Sequence, residues 1–280
     1  MREITCAEIT AKVRDLCIEA NCQLPGDVRS AICAACTQER SPVGQSILHD
    51  LVENYTYAGE RNLPICQDTG MAVVFIDLGQ DCHITGGALE DAVNAGVAAG
   101  YTEGYLRKSM VSDPLRRLNT EDNTPAVLHL RLVPGNQMSI TVAPKGAGSE
   151  NMTTLKMLKP TTPLEEVENA IIQAVEDAGS NPCPPVVVGV GIGGNSEQCT
   201  LLAKRALLRP LDEHNPDPLY REMEERLLER INKLGIGPQG LGGTVTALAV
   251  SILPAATHIA QLPICVNLCC HVCRHAHAVL

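Results

Sequence analysis

Two cysteines stand in sequence surroundings that suit metal ligands better than a hydrophobic core. Cys66 lies in LPICQDTG, where an amide, a carboxylate and a Gly turn follow the thiol at once. Burying this thiol would bury those polar side chains as well, which costs free energy. Cys183 lies in NPCPP, where the flanking prolines hold the backbone rigid and remove competing N–H donors. Both residues precede predicted strands, and both are therefore candidate metal ligands.

A third group of potential ligands lies in residues 265–277, which are rich in Cys and His. The adjacent Cys269 and Cys270 cannot both point to one face of a strand, so only some of these residues can be ligands. By composition the segment could form a zinc site. Alternatively, one of its thiolates joins Cys66 and Cys183 to hold an iron–sulfur cluster. Three protein ligands would leave one iron open, as a Lewis acid for a carboxylate or hydroxyl oxygen.

Two further motifs are less specific. Cys33 and Cys36 form a C-x-x-C pair, for which an inward-packed helix face is favoured over a redox pair. Residues 189–194 (GVGIGG) satisfy the spacing of a dinucleotide-binding turn. The acidic residue at the expected distance, Asp212, lies in a Pro-rich loop without a preceding strand. We therefore favour a tight strand-to-helix turn in which two backbones approach closely.

Composition narrows the class of protein. The 280 residues carry a formal net charge of −10 and only 2% aromatic residues, which disfavours both nucleic-acid binding and an anionic membrane surface. The N-terminus lacks the apolar segment of a secretion signal, and no apolar run is long enough to span a bilayer. We expect a cytoplasmic protein in which the 13 cysteines stay reduced.

The hydrophobic periodicity predicts an α/β fold, with a helical N-terminal part (1–60) followed by an α/β part (61–280) in one domain over 1–280. The expected architecture is a mixed β-sheet flanked by helices. Strands are predicted at 71–78, 126–133, 138–145, 185–192 and in the apolar runs TVTALAVSIL and LPICVNLCC. Helices are predicted at 86–105, 163–179, 196–208 and 220–234, the last one charged and exposed.

Ordered motifs extend over nearly the whole chain: PICQDTG, RKSMVSDPLRRLNTEDNTPAVLH, APKGAGSENMTTLKML, NPCPPVVVGVGIGG with LLAKRALLRP, GIGPQGLGG and AATHIAQLPICVNLCCHVCRHA. With these motifs the chain resembles the class I fumarase / L-tartrate dehydratase α-type family. The resemblance implies a [4Fe–4S] cluster held by Cys66, Cys183 and one Cys of the last motif. The family places a His at a fixed spacing before that Cys. His258 and Cys270 satisfy the spacing, so the resemblance implies Cys270 as the third ligand.

The resemblance also implies a substrate site. Gln67 and Asp68 correspond to the pair that contacts the substrate, and Asp68 is expected to be catalytic. Arg107 corresponds to the Arg that holds a substrate carboxylate, for which a bidentate guanidinium is suited. Gly148 corresponds to the Gly whose backbone approaches the substrate. His258 corresponds to the active-site His and is also expected to be catalytic.

The implied activity is the reversible hydration of fumarate to L-malate, a step of the tricarboxylic acid cycle. Single-chain members of the family continue into a second domain with a Thr-rich loop, a basic clamp and a Lys, whereas this sequence stops at Leu280. We therefore expect an α subunit that works with a fumarate hydratase β subunit in a larger heteromer. The alternatives are an L-tartrate dehydratase α subunit or, in a different class, a zinc-binding structural subunit.

Overall fold

The structure is a computed structural model that describes residues 2–280, and it is a mixed α/β protein. Its helices are α1 (Cys6–Cys22), α2 (Gly26–Gln38), α3 (Pro42–Arg61), α4 (Leu89–Glu103), α5 (Ala147–Glu150), α6 (Leu164–Ala178), α7 (Ser196–Ala206) and α8 (Pro218–Asn232), with a 3₁₀ turn at Pro238–Gly240. Its strands are β1 (Arg2–Thr5), β2 (Met71–Gly79), β3 (Cys82–Thr85), β4 (Val127–Val133), β5 (Met138–Lys145), β6 (Thr154–Leu158), β7 (Val186–Gly193), β8 (Ala247–Ala255), β9 (Leu262–Cys269) and β10 (Ala276–Val279).

The chain divides into two compact units. The first unit comprises residues 2–25, Tyr55–Ala147 and Arg274–Leu280. The second unit comprises Gly26–Asn54 and Gly148–Cys273. Each unit therefore combines segments that are far apart in the sequence.

The first unit is built on a four-stranded sheet of order β10-β5-β2-β4, in which β2 runs antiparallel to β5 and parallel to β4. Val74 and Ile76 of β2 and Ile140 and Val142 of β5 pack in one hydrophobic core with α1 and α4. Because β2 is an inner strand, its entry point at residue 71 lies between two neighbouring strands. The PICQDTG stretch therefore leads directly into the middle of this sheet.

Helices α1 and α4 of the first unit cross at very short distance. A Cβ atom on Gly96 would lie 2.7 Å from Thr10 O, and one on Gly100 would lie 2.7 Å from Cys17 Cβ. Only glycine fits at these two positions. The crossing buries the end of α4, where Tyr101 is fully buried.

The second unit is built on a sheet of order β6-β9-β7-β8. Strand β7 is buried along its whole length, antiparallel to β9 and parallel to β8. Helices α6 and α8 contribute Ile171 and Leu227 to the core over one face of the sheet. Helix α7 packs against β7 and β9 and contributes Cys199 to a separate small cluster with Cys265 of β9.

The glycines of residues 189–194 allow α7 to lie directly on β7. A Cβ atom on Gly189 would lie 2.3 Å from Ala203 O, and one on Gly191 would lie 2.1 Å from Cys199 O. After the strand, Asn195 begins α7 by accepting a hydrogen bond from the main-chain N of residue 198. The interpretation of this motif as a close-packed strand-to-helix turn is confirmed.

The predicted α/β class and the predicted helices and strands are confirmed, but several short strands escaped prediction from the sequence. Strand β1 lies inside the stretch predicted to be helical and pairs in parallel with β3. Strands β3, β6 and β10 have four or five residues each, too few to show a period. Strands β6 and β10 form by pairing with the longer strands β9 and β5, and β3 forms by pairing with β1.

Two predictions about helix faces were wrong. Helix α8 is charged but not wholly exposed, because Met223, Leu227 and Ile231 are buried at helical spacing. Cys33 of α2 is exposed, because that helix buries a different face, which includes Ile32. No helix among residues 2–280 combines the length and apolar character needed to cross a membrane.

Glu39, at the end of α2, is a buried carboxylate that fixes the segment leading into β8. It is 1% exposed and accepts hydrogen bonds from Ser41 N at 2.8 Å, Thr244 N at 2.9 Å and Val245 N at 2.8 Å. Burial opposes ionisation, but these hydrogen bonds outweigh it and hold the pKa of Glu39 below its ordinary value. The ionised carboxylate therefore stabilises the second unit.

Glu39→Gln should lower the free energy of unfolding by about 2 kcal/mol at pH 7, because an amide cannot accept from all of these donors. The lowered pKa means that the carboxylate stabilises above its unfolded value near 4.5 and loses this effect as the pH falls through the folded value. Urea denaturation at pH 7 and pH 4 measures both effects. The difference between wild type and variant should shrink at pH 4. Exposed Glu53→Gln is the control, and equal midpoints for wild type and Glu39→Gln at pH 7 would contradict the role.

Candidate active site

The loop that carries Cys66, Gln67 and Asp68 connects α3 to β2 and is called here the CQDTG loop (residues 66–70). Cys66 and Asp68 are half-buried, and Gln67 is exposed. The Cys66 Sγ lies 3.6 Å from Gln67 Oε1. Just before the loop, Ile65 N donates to Asn21 O at 3.0 Å, which anchors the loop to the end of α1.

Three consecutive main-chain carbonyls of this loop accept hydrogen bonds from buried side chains. The hydroxyl of Tyr101 lies 2.7 Å from Thr69 O and 3.0 Å from Gly70 O, and donates toward both. The guanidinium of Arg274 donates to Asp68 O. The backbone of the loop is therefore held from inside the first unit, without using the side chains of residues 66–68.

The carboxylate of Asp68 is oriented by two main-chain amides. Gly70 N donates to Oδ1 at 2.9 Å, and Ala147 N donates to Oδ2 at 2.9 Å. A Cβ atom on Gly146 would lie 3.1 Å from Oδ2, so this glycine leaves room for the close approach. Each oxygen keeps further acceptor capacity. Asp68 can therefore accept a proton or a substrate hydrogen bond from a fixed position.

The segment that follows α4 brings Arg107 next to the CQDTG loop. Thr69 Oγ1 donates to Arg107 O at 3.1 Å. The buried Asn123 accepts from Ser109 N at 2.7 Å and donates to Gly70 O at 3.1 Å. These contacts fix the backbone of Arg107 while its side chain stays exposed, as a residue that captures a carboxylate from solvent requires.

In the second unit, the main-chain carbonyl of Cys183 is hydrogen-bonded to His271, the residue that follows Cys270. His271 N lies 3.4 Å from Cys183 O, and His271 Nδ1 lies 3.0 Å from the same oxygen. Gln239 donates from its main-chain N and its Nε2 to Pro184 O, at 2.7 and 2.9 Å. Gln239 Nε2 also lies 3.1 Å from His271 Nδ1. Two predicted ligands are thus brought into one hydrogen-bonded group of loops.

Gly148 lies exposed in the short helix α5, where a Cβ atom would lie 3.3 Å from Asn181 O. This places it beside the loop that leads to Cys183. Glu150, at the end of α5, forms an ion pair with Lys204 and accepts from Asn267 Nδ2 at 3.0 Å. These contacts fix the position of α5 against α7 and β9.

His258 occupies an exposed turn between β8 and β9. Its Nδ1 accepts from Ala260 N at 3.1 Å, so the proton of the neutral ring is on Nε2. Thr257 Oγ1 donates to Gly194 O at 2.8 Å and ties the turn to the start of α7. His258 therefore presents Nε2–H to solvent from an anchored loop.

The predicted site residues divide between the two units. The first unit holds Cys66, Gln67, Asp68 and Arg107, and the second holds Gly148, Cys183, His258 and Cys270. Sequence reasoning missed the side chains that hold these loops, namely Tyr101, Asn123, Gln239, His271 and Arg274. Each of them bonds to main-chain atoms distant in the sequence, which leaves no local pattern.

Residues 10–279 match the family model described as fumarate hydratase (Fumerase). The chain belongs to this family, the class I fumarase/tartrate dehydratase α family. A relative in Methanocaldococcus jannaschii, named putative L(+)-tartrate dehydratase subunit alpha, is 38% identical over 275 residues that cover 96% of each chain. The L(+)-tartrate dehydratase subunits alpha of Escherichia coli K12 and Shigella sonnei are each 31% identical over 267 residues, covering 94% of this chain and 88% of theirs. The predicted family is confirmed, and with it the hydro-lyase class of activity.

Six of the 13 cysteines of this fumarase-family chain are buried packing residues. Burial raises the pKa of Cys17 and Cys265 to about 12 and that of Cys199 to about 11. Cys269 is buried in β9, and the buried Cys273 Sγ donates to Leu207 O at 3.6 Å. Thiols enclosed in this way are poor ligands, because a metal bound from outside must reach the sulfur.

Cys66, Cys183 and Cys270 differ from these packed thiols. Cys183 is exposed, the other two are half-buried, and all three lie in loops beside the ends of strands β7, β2 and β9. Among residues 2–280, no group of three or more His, Cys, Asp or Glu side chains is placed to hold a metal ion. By their chemistry, three thiols that are not fully buried are donors of the kind that an iron–sulfur cluster takes.

Alkylation should separate the two classes of cysteine in the metal-free chain. At pH 8 a thiol with a pKa of about 12 is ionised to about one part in ten thousand, so Cys17 and Cys265 should resist iodoacetamide. The exposed Cys33 and Cys183 should react first. Peptide mass spectrometry over a time course gives the order. Labelling of Cys17 or Cys265 as fast as Cys183 would show that this distinction is wrong.

Proposed function

We propose that this chain is the α subunit of a fumarate hydratase, which adds water reversibly to fumarate to give L-malate. The observation that carries the proposal is the CQDTG loop, where a candidate cluster ligand adjoins a carboxylate fixed by two main-chain amides. Membership of the hydro-lyase family supports the reaction class.

We propose further that Cys66, Cys183 and Cys270 hold one [4Fe–4S] cluster. When bound with one iron open, the cluster supplies a Lewis acid for a carboxylate or hydroxyl oxygen of the substrate. Support comes from the partial exposure of these three thiols, in contrast to the enclosed Cys269 and Cys273. Support for Cys270 also comes from the hydrogen bonds between its neighbour His271 and Cys183.

The remaining steps fall to this chain's own side chains. Arg107, exposed on a fixed backbone, would bind one substrate carboxylate through two parallel N–H donors. Gln67 would donate to the substrate beside it, and the exposed Gly148 would let the main chain approach closely. Asp68 would hold the proton that moves during hydration, together with a base from the β subunit. His258 would offer Nε2–H to an oxygen of the substrate.

The β subunit is proposed as the partner because the relatives are named as subunits alpha. Gln67, Arg107, Gly148 and His258 are all exposed in the single chain. A polar site open to water lacks the low dielectric that strengthens electrostatic stabilisation, so a second protein surface is needed to exclude water. We propose a cytoplasmic heteromer of higher order, built with closed symmetry.

A second candidate substrate is L-tartrate, since the relatives are named L(+)-tartrate dehydratase. Tartrate carries one hydroxyl more than malate. Discrimination therefore depends on whether a buried polar group accepts or rejects that hydroxyl. The KGAGSEN and NTEDNTP stretches, which resemble fumarases more closely, favour fumarate.

Single substitutions test the cluster ligands. Cys66→Ala, Cys183→Ala and Cys270→Ala should each abolish iron and sulfide incorporation during anaerobic reconstitution, because each removes one of three thiolates. Cys269→Ala and Cys273→Ala, matched controls from the same segment, should keep the full content. If the cluster forms in Cys270→Ala but not in Cys269→Ala or Cys273→Ala, then Cys269 or Cys273 is the third ligand instead of Cys270. Normal iron in all three primary variants would rule out the cluster.

Titration with the β chain tests the subunit assignment and the substrate. Under nitrogen, the cluster-loaded α chain alone should convert fumarate at under about 1% of the rate of the mixture, because its site is open to water. As β chain is added, the rate of turnover should rise and reach a plateau at a fixed ratio of β to α chain. Parallel assays on fumarate, L-malate and L-tartrate should give the highest kcat/KM for the first two. Robust turnover by the α chain alone would refute the division of the site, and a preference for tartrate would replace the proposed substrate.

A further inference from the structure

Arg274 is a buried cation that this chain does not neutralise. It is 5% exposed, although arginine is almost never fully buried unless it is paired. Its guanidinium donates to Asp68 O, while its Nε is buried without a hydrogen-bond partner. Among residues 2–280, no carboxylate oxygen lies within 4.0 Å of a guanidinium nitrogen of Arg274, the distance that defines an ion pair.

The groups around Arg274 do not balance its charge. Burial raises the pKa values of the Tyr101 phenol and the Cys22 thiol, and the cation of Arg274 only partly opposes this. Both groups therefore stay neutral at neutral pH. The carboxylate of Asp68 also acts electrostatically on Tyr101, so it is an anion that belongs to the same neighbourhood. The guanidinium nevertheless bonds to the carbonyl of Asp68, and the carboxylate is held by amides.

Arg209 shows what a purely structural, half-buried arginine looks like in this chain, and its Nε likewise has no hydrogen-bond partner. Its guanidinium lies 2.6 Å from Glu224 Oε1, and the same carboxylate also accepts from Ile252 N. That pair is neutral as a whole. Arg274 has no such partner, and an unpaired buried charge is costly to folding. Groups of this kind persist where a site depends on them.

We propose that Arg274 is a positioning residue for Asp68. It fixes the main-chain carbonyl, while Gly70 N and Ala147 N fix the carboxylate, so that both ends of this residue are held. Tyr101 holds the next two carbonyls and completes the support of the CQDTG loop. The proposal rests on the proposed function in one respect, that the Asp68 carboxylate acts on the substrate.

Hydrogen exchange tests the positioning without any need for activity. In the full chain, Arg274→Met should raise the exchange rates of the Gly70 and Ala147 amides about tenfold, because the loop loses its donor at Asp68 O. Arg274→Lys, which keeps a charged donor, should give a smaller increase. Arg209→Met, the matched control, should leave these two amides unchanged and affect the neighbourhood of Glu224 instead. Wild-type exchange rates in Arg274→Met would overturn the proposal.

Kinetics of the enzyme assembled with the β chain then separate positioning from folding. Arg274→Met should lower kcat by about 10- to 100-fold through misplacement of Asp68, with KM within about twofold and iron content unchanged. Arg274→Lys should recover part of the loss, whereas Arg209→Met should lower the thermal midpoint but keep kcat. A loosened loop with unchanged kcat would also overturn the proposal. If the wild type converts no dicarboxylate, the proposed function fails, while the exchange data still decide whether Arg274 positions Asp68.

Discussion

The carbonyl oxygens of Asp68, Thr69 and Gly70 turn into the interior of the first unit, where each must find a donor. A buried carbonyl without a partner would cost about 1–3 kcal/mol. Tyr101 and Arg274 meet this requirement together with Asn123. Because the donors come from separate segments, the position of the CQDTG loop depends on the correct packing of α4 and of the segments around residues 123 and 274. These three carbonyls therefore do not depend on the side chains of residues 66–68, of which only that of Asp68 bonds to the main chain, through Gly70 N and Ala147 N.

In the second unit, the loops are positioned by close packing at glycines, where side chains are absent. Gly189 and Gly191 let α7 rest on the backbone of β7, which brings Gly194 and the loop of His258 to the end of the same strand. At the other end of β7, the loop of Cys183 is bonded to His271 and Gln239. A single buried strand thus fixes loops at both of its ends. Apart from Gly148 in the short helix α5, the candidate functional residues of both units lie in loops, and rigid neighbours rather than regular structure keep those loops in place.

The sequence predicted the long elements and the chemistry of the unusual loops. Strand β7 is a continuous apolar run, and the polar neighbours of Cys66 make a packing role for its thiol implausible from residue types alone. Residue types alone did not single out Cys270 as the proposed third ligand, because Cys269 and Cys270 are adjacent and identical; that choice came from the family spacing to His258. Tyr101 and Arg274 could not be found at all, since a donor to a distant carbonyl leaves no periodicity and no motif.

The first unit combines segments that precede and follow most of the second unit in the sequence, which affects the order in which the two units fold during synthesis. Its sheet receives β10 from residues 276–279, and Leu280 exchanges two main-chain hydrogen bonds with Met138, at 2.8 and 2.9 Å. On the ribosome, all of residues 148–273 emerge before these pairs can form. The second unit can therefore fold during synthesis, while the first must wait with an open sheet edge at β5. Arg274 emerges just ahead of β10, so the support behind Asp68 forms only after residues 148–273 have been made.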